Sequence, residues 1–280
     1  MTGKWWGPQS VTPVLLCLHG FQDNAGTWDT LVPLLPPDIS LLAVDLPGHG
    51  FSSHIPAGNV YRVLDFVLTV QRIVKHFGWT RVSLMGHSMG SVIAFLYSAI
   101  YPEYVEHYIA LDAITPPYIE SVRRLKRLGE HLDHFLNLGS MDPNSKPSYT
   151  YEEAVQHLHS SISKWATKEG CEILSRRGTV RKPDGRYYFS RDIRLKSLFG
   201  DSYSHEYALQ FASNLQCKIL YIKAVEGLSV LKPQELDEFL DAIKKSCVLC
   251  EYRTVEGRHH VHLDFPERVA PLISDFLKHQ

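Results

Sequence analysis

The chain has 280 residues, 44% of them hydrophobic and 21% charged, enough apolar material for one large core. Its 29 basic and 30 acidic side chains leave a formal net charge of −1, so it lacks the electrostatic footprint of a nucleic-acid or anionic-membrane binder. No apolar run approaches the roughly 18 residues of a bilayer span, and Met1 to Pro8 shows no secretory leader core.

Residues 1 to about 112 alternate apolar strand runs with helical patterns, as a parallel sheet covered by helices requires. Val14–Leu18 reads as a buried strand ending in His19-Gly20-Phe21, Trp28–Leu35 as a short helix and Ile39–Val44 as a strand. Asp45-Leu46-Pro47-Gly48-His49-Gly50 is a loop of turn residues. Tyr61–Phe77 carries Val63, Phe66, Val67, Val70, Ile73 and Val74 at helical spacing.

The run Arg81–Met85 then leads through Gly86-His87-Ser88-Met89-Gly90 into an apolar helix, Ser91–Tyr101. Strand, G-x-S-x-G, helix is the context of a nucleophile elbow. A turn this sharp leaves no room for side chains two residues either side of the serine, hence the glycines. Ser88 Oγ is left exposed at the end of the sheet, beside amides at the N-terminus of a helix. The strand His107–Leu111 follows, then Asp112.

Between 113 and about 213 the alternation stops. Helices are expected over Tyr118–Leu136, Tyr151–Trp165, Cys171–Arg176 and Tyr203–Asn214. A hairpin is expected around Lys182-Pro183-Asp184-Gly185, and a mobile loop over Gly139–Pro147. Arg123, Arg124, Lys126 and Arg127 suit the solvated face of an amphipathic helix; a site for acidic substrates is the sharper alternative. From about 214 the α/β pattern resumes with strand Lys218–Ile222, helix Pro233–Lys245, strand Val248–Val255, a histidine loop and a closing helix to Leu277.

A hydroxyl nucleophile needs a base, an acid to orient the base, and donors for the oxyanion. The late loop Gly257-Arg258-His259-His260-Val261-His262 offers three imidazoles. A metal shared by His259, His260 and His262 is a weaker reading, because no carboxylate or thiolate completes a ligand spacing. Neither a metal nor a cofactor is called for. The five cysteines are scattered, and with no second C-x-x-C the pair Cys247 and Cys250 reads as strand thiols in a reducing compartment, not as a zinc or redox site.

These features resemble an α/β-hydrolase from end to end: a mostly parallel twisted sheet with helices on both faces and a mainly helical cap inserted after the strand counted sixth in that fold. Three parts follow, 1–112 and 214–280 forming the core and 113–213 the cap. More narrowly, the chain resembles the animal serine hydrolase-like (kraken-like) proteins. That likeness rests on Gly3–Pro8, His19–Gly26, the elbow, Arg177-Gly178-Thr179, Arg191-Asp192-Ile193-Arg194-Leu195 and Ile222–Val225. Relatives begin with a further strand pair, so the first strand is expected to be absent or shortened here.

The resemblance implies a Ser-His-Asp triad working through an acyl-enzyme. The base of this fold lies seven residues before the proline that opens the last helix, and counting back from Pro266 gives His259. His260 is the alternative, and His262 packs under the helix start. The amides of Phe21 and Met89 form the oxyanion hole, while His19 braces its loop. Asp45 and His49 belong to a structural turn of the fold. Most relatives carry the acid after the seventh strand, where this chain has Glu226 and Gly227. Lipases and one branch of the dehalogenases carry it after the sixth, where Asp112 stands. Neighbouring strands are about 4.8 Å apart, so Asp112 can reach the histidine loop and is the expected acid, with Glu226 the alternative. A capping or turn role for Asp112 is the structural competitor.

The expected substrate is a small ester-like molecule, with thioesters and carbon–carbon bonds as further options and a catalytically degenerate ligand binder as the alternative. Stable membrane insertion is not expected, and oligomeric state is left open. The expected location is cytoplasmic. A peroxisomal one rests on family resemblance alone, because Lys278-His279-Gln280 is not a Ser-Lys-Leu tail.

Overall fold

A computed structural model describes residues 1–9, 13–116, 121–139, 147–197, 203–229 and 231–278; the side chains of 121–127 and 139 are outside the description. The first half contains strands β1 (Gly3–Trp6), β2 (Val14–Leu18), β3 (Leu41–Val44), β4 (Val82–His87) and β5 (Val105–Leu111), with helices α1 (Val63–Phe77) and α2 (Met89–Ile100). Helices α3 (Ser121–Gly139), α4 (Tyr151–Ile162) and α5 (Lys168–Gly178) follow, then the hairpin β6 (Thr179–Arg181) and β7 (Tyr187–Phe189), and α6 (His205–Ala212). The chain closes with β8 (Lys218–Glu226), α7 (Pro233–Ser246), β9 (Leu249–Arg258), α8 (Val261–Asp264) and α9 (Ala270–Lys278).

Seven strands form one sheet in the order β1-β3-β2-β4-β5-β8-β9, with β1 antiparallel to β3 and the other neighbours parallel. The strand counted sixth from sequence is therefore β5, and the seventh is β8. Alternate residues feed two cores, as a strand buried on both faces requires. Val14, Leu16 and Leu18 point toward α1, α2 and α7, whereas Leu15 and Cys17 point toward Trp28 and α9. The helix after the elbow is apolar all round because it lies between sheet and outer helices. Within it Phe95, fully buried, contributes about 1.5–3 kcal/mol of transfer free energy.

Helix α1 matches its expected pattern and ends at Gly78, whose φ of 66° supplies a left-handed cap. The short helix expected over Trp28–Leu35 is instead two 3₁₀ turns, Ala25–Trp28 and Val32–Leu34. Pro33 and Pro36 explain the break, since neither donates the amide that a continuous helix would need there. Gly3–Trp6, where the first strand was expected to be absent or shortened, forms a four-residue strand paired with β3.

The segment after β5 leaves the sheet. Helices α4 and α5 share an apolar cluster of their own, Val155, Leu158, Ala166, Cys171 and Leu174, joined by Leu263 of α8. Ala208 and Ala212 of α6 instead belong to the cluster around α2 and α7. Polar ties hold the insertion down: the Arg177 guanidinium meets the buried Asp45 carboxylate at 2.8 Å, Asn24 Nδ2 donates to the Leu174 carbonyl at 2.9 Å, and Thr167 Oγ1 donates to Asp264 at 2.8 Å. The hairpin at Lys182–Gly185 forms as expected, with Thr179 opposite Phe189. Arg123, Arg124, Lys126 and Arg127 fall on α3, where side chains are outside the description; of the loop expected over Gly139–Pro147, residues 140–146 also lie outside it. No described helix is long and apolar enough to cross a membrane.

Candidate active site

The elbow is built by sterics. Ser88 has φ 52° and ψ −119° at the junction of β4 and α2, and its amide donates to the Leu111 carbonyl of the next strand at 3.1 Å. A Cβ on Gly90 would lie 2.7 Å from the His19 carbonyl oxygen, and one on Gly86 would collide with the Gly90 backbone. Both positions accept only glycine. Met89 opens α2, directly after Ser88, where an N–H has no acceptor within the helix. Phe21 lies in the turn after β2, and the following Gln22 is held at φ 61° with its amide on His49 Nε2 at 3.2 Å. Among the described residues, the non-glycine positions with positive φ are Gln22, Ser88 and Asp112. Among the described residues, non-glycine strain of this kind thus falls at this one site.

Asp112 ends β5 and His259 follows β9, with β8 between the two strands. His259 Nδ1 is 2.6 Å from Asp112 Oδ2. The carboxylate has no exposed surface and is filled on every side. Oδ1 accepts from Lys223 Nζ at 2.6 Å and from the Ala224 amide at 2.9 Å, while Oδ2 also accepts from the Leu228 amide at 2.7 Å. Burial works to raise its pKa, but the hydrogen bonds from His259 and Lys223 outweigh that and hold it below the ordinary range. Trp165 of the insertion stands edge-on to the His259 ring, centroids 5.6 Å apart.

Glu226 is exposed at the end of β8, and the structure does not bring it to His259, whose Nδ1 is taken by Asp112. Gly227 explains how the carboxylate at the end of the neighbouring strand can occupy this place. A Cβ there would sit under 3.0 Å from all three carboxylate atoms of Asp112. The loop after β8 therefore brings no acid of its own; it leaves room for one and wraps it in amides.

The other histidines separate by partner. His260 Nε2 is 3.1 Å from Asp23 Oδ2, and its amide donates to the Trp165 carbonyl at 3.0 Å. Despite burial, Asp23 raises the His260 pKa, and the histidines together draw Asp23 well below the carboxylate range. His262 Nε2 meets Thr27 Oγ1 at 2.8 Å beneath Trp28, as expected of a packing residue. His259, His260 and His262 thus face three different groups and do not converge on a metal. Asp23, His87 and His260 do converge, with ligand atoms within 4.8 Å. His260 bonds Asp23 and His87 Nε2 meets the His259 carbonyl at 3.0 Å, while His87 Nδ1 faces Asp23 Oδ2 at 3.7 Å. Burial, then the neighbouring His259, pushes His87 down to about 3, so its ring is neutral. His19 braces its loop as expected, accepting from the Leu46 amide at 3.0 Å through Nε2.

The description "alpha/beta hydrolase fold" matches residues 13–138. A serine hydrolase-like protein of Danio rerio is 37% identical over 284 residues, covering 100% of this chain and 86% of that protein. This chain belongs to the α/β-hydrolase family, among its serine hydrolase-like proteins. The crystal structure of a hypothetical protein from Pseudomonas aeruginosa superposes with a TM-score of 0.84 at 30% identity, covering 99% of this chain and 95% of that one. A thioesterase domain from the curacin biosynthetic pathway gives 0.79 at 23% identity, covering 97% and 93%, a likeness of fold.

In this α/β-hydrolase, sequence reasoning missed the roles of Lys223, Asp23 and His87. Lys223 had a signal: a lysine breaking the apolar run at the carboxyl end of a central strand, the end where active groups gather. The Asp23–His260 pair had none, because 237 residues separate its members.

Proposed function

We propose that this serine hydrolase-like protein cleaves carboxylic esters through an acyl-enzyme, with Ser88 as nucleophile, His259 as base and Asp112 as acid. The observation that carries the reading is the buried 2.6 Å bond between His259 and Asp112, at the end of the strand beside the strained Ser88. Asp112 holds a proton on Nδ1, which leaves Nε2 free to accept the Ser88 proton as Oγ attacks the ester carbonyl. The imidazolium then returns that proton to the leaving alcohol. Water, deprotonated by the same ring, releases the acid. The amides of Phe21 and Met89 supply the oxyanion hole; both are backbone groups, and one belongs to a helix N-terminus, where developing negative charge is favoured. Residues 113–213 act as the cap, with Trp165 against His259 excluding water from the reacting atoms.

The glycine at position 227 removes the motive for a degenerate binder, since the aspartate missing after β8 is replaced from β5. The test is labelling by a fluorophosphonate, followed by mass mapping and hydrolysis of p-nitrophenyl butyrate. Wild type is expected to label at Ser88, and Ser88→Ala to lose both label and turnover. A folded wild-type protein that neither labels nor hydrolyses any ester of a short-chain panel is a binder.

A further inference from the structure

The motif Arg191-Asp192-Ile193-Arg194-Leu195 leaves one charge unexplained. Asp192 and Arg194 hold each other at 2.7 Å, Tyr61 Oη donates to Asp192 at 2.9 Å, and Arg194 donates to the carbonyls of Ile55, Pro56 and Asn59. Asp192 is therefore spent. Arg191 is partly buried and sits over Phe189, 4.4 Å from guanidinium carbon to ring centroid, yet among the described residues it has no hydrogen bond and no ion pair. Three other arginines of the insertion are engaged: Arg177 by Asp45, Arg186 by the Ser148 carbonyl, Arg194 as above.

Its location follows from its neighbours. Ser190 is pinned by His54 Nε2 on its carbonyl at 2.9 Å, and the Asp192 amide donates to the Gly48 carbonyl at 2.8 Å. Gly48 precedes His49, whose Nε2 receives the amide of Gln22, the residue after Phe21. Arg191 therefore stands on a rigid segment above the turn that carries the oxyanion amide. It is close enough to interact electrostatically with Asp23 and His49. Burial pulls the guanidinium below its ordinary range, against the pull of Asp23 and Tyr149, and among the described residues no carboxylate is within ion-pair distance of it. A guanidinium that has given up water and found no acceptor is costly unless a ligand supplies one.

We propose that Arg191 binds a carboxylate on the substrate, so that the preferred esters are those carrying a second, free carboxylate group, as in a dicarboxylic acid monoester. This rests on the ester-hydrolase reading above. A single planar guanidinium over a ring, without a hydrogen bond among the described residues, matches one planar carboxylate through two parallel hydrogen bonds. A phosphate monoester, with more charge and more acceptor oxygens, would call for further donors beside it.

The experiment compares p-nitrophenyl butyrate with the p-nitrophenyl monoester of glutaric acid. Wild type is expected to favour the carboxylated ester in kcat/KM by about tenfold to a hundredfold, the range of a charged hydrogen-bonded pair. Arg191→Met is expected to collapse that ratio toward one by raising KM for the carboxylated ester, while Arg191→Lys keeps part of it. A wild-type ratio near one, or a ratio unchanged in Arg191→Met, overturns the proposal. The site is also read without turnover: monomethyl glutarate is expected to raise the Tm of Ser88→Ala and to leave Ser88→Ala/Arg191→Met unmoved. That shift in a protein hydrolysing no ester sinks the hydrolase reading and keeps the anion site; hydrolysis without shift or preference does the reverse.

Discussion

Gly227→Ala tests the placement of the acid most directly. Gly227 is not at positive φ, so its backbone accepts alanine and the effect is steric alone. The added methyl would overlap the Asp112 carboxylate, so the loop or the carboxylate must move. The first bond to go is that from the Leu228 amide to Oδ2, 2.7 Å long; a hydrogen bond to a charged group contributes about 1.5–3 kcal/mol. Stability is expected to fall by about 2 kcal/mol. His259 takes its orientation from the same oxygen, and a displacement near 1 Å at a reacting group costs about 100-fold in rate. The assay pairs a urea transition with initial rates on p-nitrophenyl butyrate, expecting a lower midpoint at constant slope and a roughly hundredfold loss carried by kcat. Gly129→Ala is the control: apart from the helix's own backbone, no described atom lies within 4 Å of the added carbon in α3, and helix propensity adds up to about 1 kcal/mol of stability. Full activity and an unmoved midpoint in Gly227→Ala would refute the reasoning.

Asp112→Asn is expected to lower kcat by about 10³- to 10⁴-fold through loss of the tautomer that points Nε2 at the serine, whereas Glu226→Gln stays within about twofold; steady-state kinetics on both decides the acid. Arg177→Leu leaves the buried Asp45 carboxylate without its cation and is expected to cost about 3 kcal/mol in urea unfolding, tempered by the amides of Ala25 and Phe51 that still reach it. Acid stability follows from Asp112 and Asp23, whose folded pKa values lie below 3.8. Their contribution is complete above the unfolded pKa and is lost as pH falls through the folded values, so Tm drops below about pH 4 and drops less in Asp112→Asn. His260 has the opposite sign. Its folded pKa is raised above 6.5, so its contribution is complete below that pH and fades as pH rises through the folded value. A Tm profile of Asp23→Asn should lack that alkaline decline.

Local patterns determined much of this protein. Apolar runs of four to seven residues, turn residues and 3.6-residue spacing are short-range signals, and they placed β2, β4, β5, β8, α1 and α2 within a few residues. The elbow was legible for the same reason: Gly86 and Gly90 act on atoms within five positions of Ser88, or on the adjacent β2 strand end. The carboxylate proposed as the acid was a different matter. Asp112 and Glu226 each end a parallel strand near the histidine loop, and nothing within either segment separates them. The choice was made by parallel pairing, which sets Leu111 beside Ile222 and lets the chain at Gly227 pass over a carboxylate where any side chain would collide. The same holds for Asp23 with His260 and for Arg191 near the turn after β2. Those groups meet only when strands and insertion close on one another, because burial and partner identity belong to the packed fold and not to any window of the chain.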